Sequence, residues 1–154
     1  MRRNCRYLSQ DCPMTLRDGI EELRKAEGAA EDASTKVSAE LSRDLGIHDA
    51  IHVLFGCRTD LAGEVVAHVW TVFGTTARIR DLHRVGGHPD HRAIIAEIGH
   101  LRLLRAWLGS LPRVAATIKD SLRMTKRWPV EDFPAFLERP LVELRQEFRI
   151  RLRT

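Results

Sequence analysis

Residues 47–55, with the sequence IHDAIHVLF, decide the fold class of this chain. On a helix at about 100° per residue, its apolar side chains fall on one side: Ile47, Ile51, Leu54 and Phe55. The turn-forming residues 56–59 follow, and Asp60 can then cap a second helix by accepting its first backbone N–H groups. Because the turn is short, the two helices are expected to be antiparallel neighbours.

Helical spacing of apolar residues recurs along the rest of the chain. The second helix carries Leu61, Val65, Val69 and Val72, and the last helix of the chain carries Leu141, Leu144 and Phe148. Alternating strand patterns are short, and no Asn-Gly or Asp-Gly hairpin turn is present. The sequence therefore predicts an all-α, single-domain, helical bundle-like fold.

Capping residues and helix breakers predict where the other helices begin and end. Thr15, with Asp18 three residues later, predicts a helix that runs to about Glu27. Gly46 is interpreted as a break or kink before the 47–55 helix. Further on, residues 90–108 are predicted to form one helix and residues 110–128 another, because Ser110 and Pro112 are typical of a helix start.

Length, charge and cysteine content limit the class of protein. A chain of 154 residues fits one domain. We expect this domain at residues 14–154, with residues 1–13 as a disordered extension. Either Met1 or Met14 could be the translation start. The net charge of +4 is too small for a typical nucleic-acid binder, so no such partner is expected, but it suits an anionic membrane surface. The three cysteines form no CxxC pair, and no apolar stretch resembles a signal peptide or membrane span. We expect a cytoplasmic, not a secreted, protein.

A cluster of potential metal ligands lies on the helix hairpin. His48 and His52 are one helical turn apart, Asp49 points into the same sector, and Glu64 lies near the start of the next helix. Two imidazoles and one or two carboxylates suit zinc, and they suit ferrous iron as well. The alternative is that these are surface histidines and ordinary helix-terminal carboxylates, and the spacing alone leaves both open. His68, four residues after Glu64, is expected to lie beside the ligands and not to bind the metal itself.

These residues resemble the signature of a coenzyme Q (ubiquinone) biosynthesis family, the one named for the fourth gene of the yeast pathway. Its signature is His-Asp-x-x-His, eleven residues, then Glu, and residues 48–56 and the Gly63-Glu64 pair match it. Residues 136–141 (FLERPL) and 143–145 (ELR) are similar to the family's C-terminal end. The resemblance extends from about Leu41 to Ile150. The chain is shorter than typical members and has an unusual loop rich in His and Arg, so a divergent member acting on another lipid stays open.

The resemblance implies a function. It implies an all-α protein with zinc held by His48, Asp49, His52 and Glu64, in peripheral contact with the inner membrane. It also implies removal of the carboxyl group, and its replacement by hydroxyl, at ring carbon 1 of a polyprenylated 4-hydroxybenzoate precursor. Asp49 or Glu64 would relay protons, and other ubiquinone-biosynthesis proteins would be partners. One alternative is a non-catalytic prenyl-lipid-binding scaffold that the metal stabilises. Another is an HD-type phosphohydrolase, which the lack of any His before His48 disfavours. A homodimer stays open in each case.

A basic run with interleaved leucines predicts a membrane or phosphate contact. Between residues 101 and 128 the only acidic residue is Asp120, and Trp107 and Trp128 flank much of the run. Basic amphipathic helices with tryptophan suit an anionic lipid surface. The residues predicted to make this contact are Arg102, Arg105, Arg123, Lys126 and Arg127. The alternative is a core-facing stripe with a solvated basic back.

Overall fold

The structure is a computed structural model that describes residues 5–28, 39–77 and 100–153. In these ranges it has two short 3-10 helices, at Arg6–Leu8 and Val130–Asp132, two isolated backbone bridges and no β-strand. Its α-helices are α1 (Leu16–Glu27), α2 (Ala39–Leu54), α3 (Leu61–Gly74), α4 (His100–Ser121), α5 (Phe133–Phe136) and α6 (Leu141–Phe148). The predicted all-α, single-domain class is confirmed.

Helix α1 forms as its sequence predicts and supplies one wall of the core. The Thr15 hydroxyl accepts the N–H of Asp18, and the Asp18 carboxylate accepts the N–H of Thr15, so both ends of the predicted capping box are made. Leu16, Ile20 and Leu23 lie at helical spacing and are buried in the same core cluster as the apolar residues of α2 and α6. This packing fixes α1 along α2, which carries the predicted metal ligands.

The N-terminal segment differs from the expectation of a disordered extension. In residues 5–13, the part of 1–13 that the structure describes, Tyr7 and Cys12 are buried. The Arg145 guanidinium donates hydrogen bonds to the carbonyl groups of Tyr7, Ser9 and Gln10. The lack of helical periodicity predicts disorder, but the segment is held by hydrogen bonds to its backbone, and these need no periodic pattern.

Helix α2 continues through Gly46, where the sequence predicts a break or kink. A Cβ atom at residue 46 would lie 3.3 Å from the ring of Phe133. The glycine therefore allows a close approach between α2 and the C-terminal part of the chain, and it does not end the helix. The prediction of a break is wrong.

Helix α4 is also continuous where the sequence predicts a junction between two helices. It passes through Ser110 and Pro112 and ends at Ser121, seven residues before the predicted end at Trp128. Pro112 removes the backbone N–H that would bond to the carbonyl of Leu108, and both residues are exposed, so water can satisfy that carbonyl. Residues 90–99 of the predicted helix at 90–108 lie outside the described residues.

Candidate metal centre

A tight connection between α2 and α3 brings Glu64 back towards the two histidines. The Asp60 carboxylate accepts the N–H of Gly63, as the sequence predicts, and thereby caps α3. A Cβ atom at residue 63 would lie only 1.9 Å from the carbonyl oxygen of Arg58. Only glycine fits this approach, and the turn it permits places Glu64 in the first turn of α3, where the positive end of the helix dipole favours a carboxylate.

Three of the four predicted ligands converge. Glu64 Oε2 lies 3.5 Å from His48 Nε2, and Glu64 Oε1 lies 3.2 Å from His52 Nε2. The two imidazole rings are 4.7 Å apart between centroids. One ligand atom from each of the three side chains lies within 4.8 Å of the others, a spacing that a single metal ion can span.

The buried imidazole has a nitrogen without a hydrogen bond. His52 is 1% exposed, and its Nε2 atom has no hydrogen-bond partner among the described residues, since the 3.2 Å contact with Glu64 lacks hydrogen-bond geometry. An unsatisfied polar atom in a protein interior is costly. A metal ion bound between His52 and Glu64 would satisfy this atom.

The charges at the cluster are strongly coupled. Burial lowers the pKa of His48, but the nearby carboxylates of Asp49 and Glu64 outweigh it and raise the pKa to about 9. Burial raises the pKa of Glu64, but its contacts with His48 and His52 outweigh it and lower the pKa below its ordinary value. In the metal-free protein, a protonated His48 thus faces an ionised Glu64 at neutral pH, and a metal ion would replace that proton.

Asp49, the fourth predicted ligand, lies outside the converging group. Its Oδ2 atom accepts a hydrogen bond of 2.7 Å from Nε of Arg24 in α1, and its Oδ1 atom is 3.9 Å from Nδ1 of His48. The carboxylate therefore lies behind His48, on the side away from Glu64. A carboxylate in this place can orient a ligand histidine without binding the metal.

Helix α1 brings two residues to the site that the sequence did not indicate. Arg24 binds Asp49, and Glu27 follows one turn later, close to the carboxylates of the site. Burial raises the pKa of Glu27, and the nearby carboxylates of Asp49 and Glu64 raise it further. No local sequence signal links these α1 residues to the hairpin, because the contact depends on how α1 packs against α2.

His68 makes a contact within its own helix. Its Nδ1 atom lies 2.7 Å from the carbonyl oxygen of Glu64, and the side chain is exposed. It is not part of the group of three potential ligands. This location is compatible with the predicted supporting role, which stays a prediction.

The predicted membrane or phosphate contact is only partly described. Arg102 and Arg105 lie in α4, in a stretch whose side chains are outside the described ones, and Arg127 is exposed. Arg123 lies 3.9 Å from Asp120, and Lys126 pairs with Glu147 at 2.8 Å. In the described part of α4 and just after it, large apolar side chains face outward: Leu108, Leu111 and Leu122.

Comparisons with known proteins do not identify the chain. No protein-family model, no curated protein and no solved structure matches it. Among the described residues, no helix has both the length and the apolar content that a membrane span requires. The relation to the coenzyme Q family therefore stays a prediction from the motif.

Proposed function

We propose that this protein binds one divalent transition-metal ion through His48, His52 and Glu64. The observation that carries the proposal is the convergence of three ligand atoms around His52 Nε2, which is buried and lacks a hydrogen bond. Three protein ligands leave at least one coordination position open, as in catalytic zinc sites. Zinc is the first choice of metal, and ferrous iron, which also accepts two histidines and a carboxylate, is the alternative.

Elemental analysis of the purified protein, with and without zinc or ferrous reconstitution, tests the proposal. We expect about one metal ion per chain, and a loss of at least about a hundredfold in affinity in His52→Gln, since a ligand change costs more than the 10- to 100-fold of a supporting change. His68→Gln is the matched control, because His68 is also helical and four residues from Glu64 but outside the group. Equal metal content in both variants, or none in the wild type, would exclude the site.

We further propose, from the resemblance, that the substrate is a polyprenylated 4-hydroxybenzoate and that its ring carboxyl group is removed. A metal ion in this position would act as a Lewis acid on the carboxylate or phenol oxygen. When CO₂ leaves, the electron pair stays on the ring carbon, which must then take up a proton. Asp49, whose carboxylate lies 3.9 Å from Nδ1 of His48, would hold or move that proton.

The hydroxylation that the resemblance also implies needs an oxidant such as O₂. Zinc has no redox chemistry, so a zinc form would carry out decarboxylation alone, and an iron form is needed for both steps. Release of CO₂ from a short-chain prenylated 4-hydroxybenzoate distinguishes the cases. CO₂ release with zinc alone supports decarboxylation, and release only with iron and O₂ supports the oxidative reaction. Release with neither metal would exclude catalysis on this substrate.

The second candidate function is a metal-stabilised prenyl-lipid scaffold on the cytoplasmic face of the inner membrane, bound to other ubiquinone-biosynthesis proteins. It is favoured by the exposed leucines 108 and 111, which lie on one side of α4 together with the exposed Lys119, and by the exposed Leu122 and Arg123 just beyond the end of the helix. Sedimentation with vesicles tests it. We expect binding to vesicles rich in anionic lipid and not to neutral ones, and a loss of binding in Leu108→Ser/Leu111→Ser. Equal sedimentation with both vesicle types would contradict it.

A further inference from the structure

The tautomer of His52 is set by a backbone carbonyl. The Nδ1 atom of His52 lies 3.4 Å from the carbonyl oxygen of Cys57, which can only accept a hydrogen bond. Nδ1 must therefore carry the proton in the neutral ring, which leaves the lone pair on Nε2, the atom next to Glu64. This is the form in which imidazole binds a metal ion through Nε2.

The Cys57 carbonyl is itself held from two directions. The N–H of Cys57 donates a hydrogen bond of 2.8 Å to the carbonyl of His52, which fixes the turn after α2. The Tyr7 hydroxyl, from the N-terminal segment, donates to the Cys57 carbonyl at 3.4 Å. Burial raises the pKa of Tyr7, so its hydroxyl remains a donor at any physiological pH.

A single guanidinium connects Tyr7 to the end of the metal-binding helix. Arg145 is 1% exposed, and its Nη2 atom donates to the carbonyl of Tyr7 at 2.6 Å and to that of Val53 at 2.8 Å. Its Nε atom donates to the carbonyl of Leu54 at 3.0 Å. Carbonyls in the last turn of a helix lack partners within the helix. Arg145 thus supplies donors to two of those carbonyls, directly after His52.

From these contacts we propose that Tyr7 and Arg145 are positioning residues of the metal centre. Arg145 fixes the N-terminal segment against the end of α2, and this places the Tyr7 hydroxyl on the carbonyl that orients His52. The inference rests on the proposed metal function. It adds that the affinity of His52 for the metal depends on residues that are distant in sequence and touch no ligand.

Nitrogen-15 NMR of the metal-free protein tests the inference through the state of the imidazole ring. The His52 signals are assigned by their absence from the His52→Gln spectrum, and the two ring nitrogens report which one is protonated. We expect protonated Nδ1 in the wild type and a mixture of tautomers in Tyr7→Phe, which removes only the hydroxyl. Zinc affinity should fall by about tenfold in Tyr7→Phe, the size of effect typical of a residue that orients a ligand.

A variant of the core provides the control, and Arg145 provides a second test. Ile20→Val removes one methylene group from the buried face of α1 and leaves the carbonyl contacts in place, so its tautomer and zinc affinity should match the wild type. Arg145→Lys keeps the charge but cannot reach both helix carbonyls and Tyr7, so where it folds it should reproduce the effects of Tyr7→Phe.

The possible failures are distinguishable. A wild-type protein that binds no zinc or iron overturns both the proposed function and this inference. Metal binding by the wild type, together with an unchanged tautomer and unchanged affinity in Tyr7→Phe, overturns the inference alone.

Discussion

Helices α2 and α4 both bury polar side chains, but the hydrogen bonding of these side chains differs between the two helices. On α4 the buried Thr117 and Ser121 hydroxyls donate to carbonyls of their own helix, and Asp120 is bound by Arg153. On α2, the Nδ1 atom of the buried His52 is hydrogen-bonded to the carbonyl of Cys57, and its Nε2 atom has no hydrogen-bond partner among the described residues. Burial of a polar side chain therefore does not by itself indicate a ligand site. A buried nitrogen whose lone pair has no hydrogen-bond partner does indicate one.

The same comparison separates His52 from Trp128. The Nε1 atom of Trp128 also lacks a partner among the described side chains. An indole N–H is a donor only and has no lone pair to offer a cation. His52 is thus the buried group with both the chemistry and the neighbouring carboxylate, Glu64, that a metal requires.

The largest effect is expected from Gly63→Ala, which acts on the hairpin. The new Cβ atom would overlap the carbonyl of Arg58, so the turn must open, and we expect a loss of about 3 kcal/mol of unfolding free energy. Metal binding should fall with it. Gly109→Ala in α4 is the control: nothing lies within 4 Å of its Cβ, and helix propensity predicts a gain of up to about 1 kcal/mol. Denaturant unfolding measures the change in unfolding free energy of both variants. Equal changes in Gly63→Ala and Gly109→Ala would contradict the proposed role of the close approach at Gly63.

Metal affinity should depend steeply on pH because of His48. Its pKa is raised to about 9, so the metal must displace a proton across the neutral range. We expect zinc affinity to rise by about tenfold per pH unit, or about a hundredfold from pH 6 to 8, from this proton alone. The folding stability of the metal-free protein should depend on pH in the opposite direction, falling as the pH rises. The stability that protonated His48 adds is fully present below about pH 6.5 and is lost as the pH rises through 9. Competition with a chelator at three pH values measures the slope, and a flat profile would contradict the assignment.

A smaller effect is expected from Asp49→Asn. Because Asp49 lies behind His48 and is paired with Arg24, the variant should still bind one metal ion, with affinity reduced by about tenfold. Metal titration of the variant beside Glu64→Gln checks this. If Asp49→Asn abolishes binding as completely as Glu64→Gln does, Asp49 is a ligand and must move towards the metal.

The smallest effect is expected from Leu122→Ser, beyond the end of α4. Leu122 is 78% exposed, so the variant should change the unfolding free energy by no more than about 0.5 kcal/mol. Leu54→Ser, at a fully buried position of α2, is the contrast and should cost several-fold more. A marked loss in Leu122→Ser would show that this leucine is covered in solution.

Local patterns are sufficient to predict the hairpin and its three converging candidate ligands. The caps at Thr15 and Asp60 and the one-turn spacing of the histidines depend only on neighbours in sequence, and the structure shows them as expected. Local patterns failed at Gly46, Ser110 and Pro112, which resemble helix ends. In the structure, Gly46 allows close packing with Phe133 inside α2, and Pro112 is tolerated inside α4 because it and Leu108 are exposed to solvent.

The remaining parts of the site depend on contacts between distant segments. Arg24 with Asp49, and Arg145 with Tyr7, are separated by 25 and 138 residues. Each is an ordinary polar residue in its own neighbourhood, and nothing in one sequence pairs it with its partner. For the same reason, the order of residues 5–13 could not be predicted from composition.

The separation of 138 residues between Tyr7 and Arg145 has a consequence for synthesis of the protein in the cell. At about 5–20 residues per second, a ribosome takes roughly 7 to 28 seconds to make the chain between them. His48, His52 and Glu64 are translated in the first half of that interval, before Arg145, whose guanidinium contacts the end of α2, has been made. On the proposed function, a nascent chain would bind metal about tenfold more weakly until the C-terminal helix has been translated.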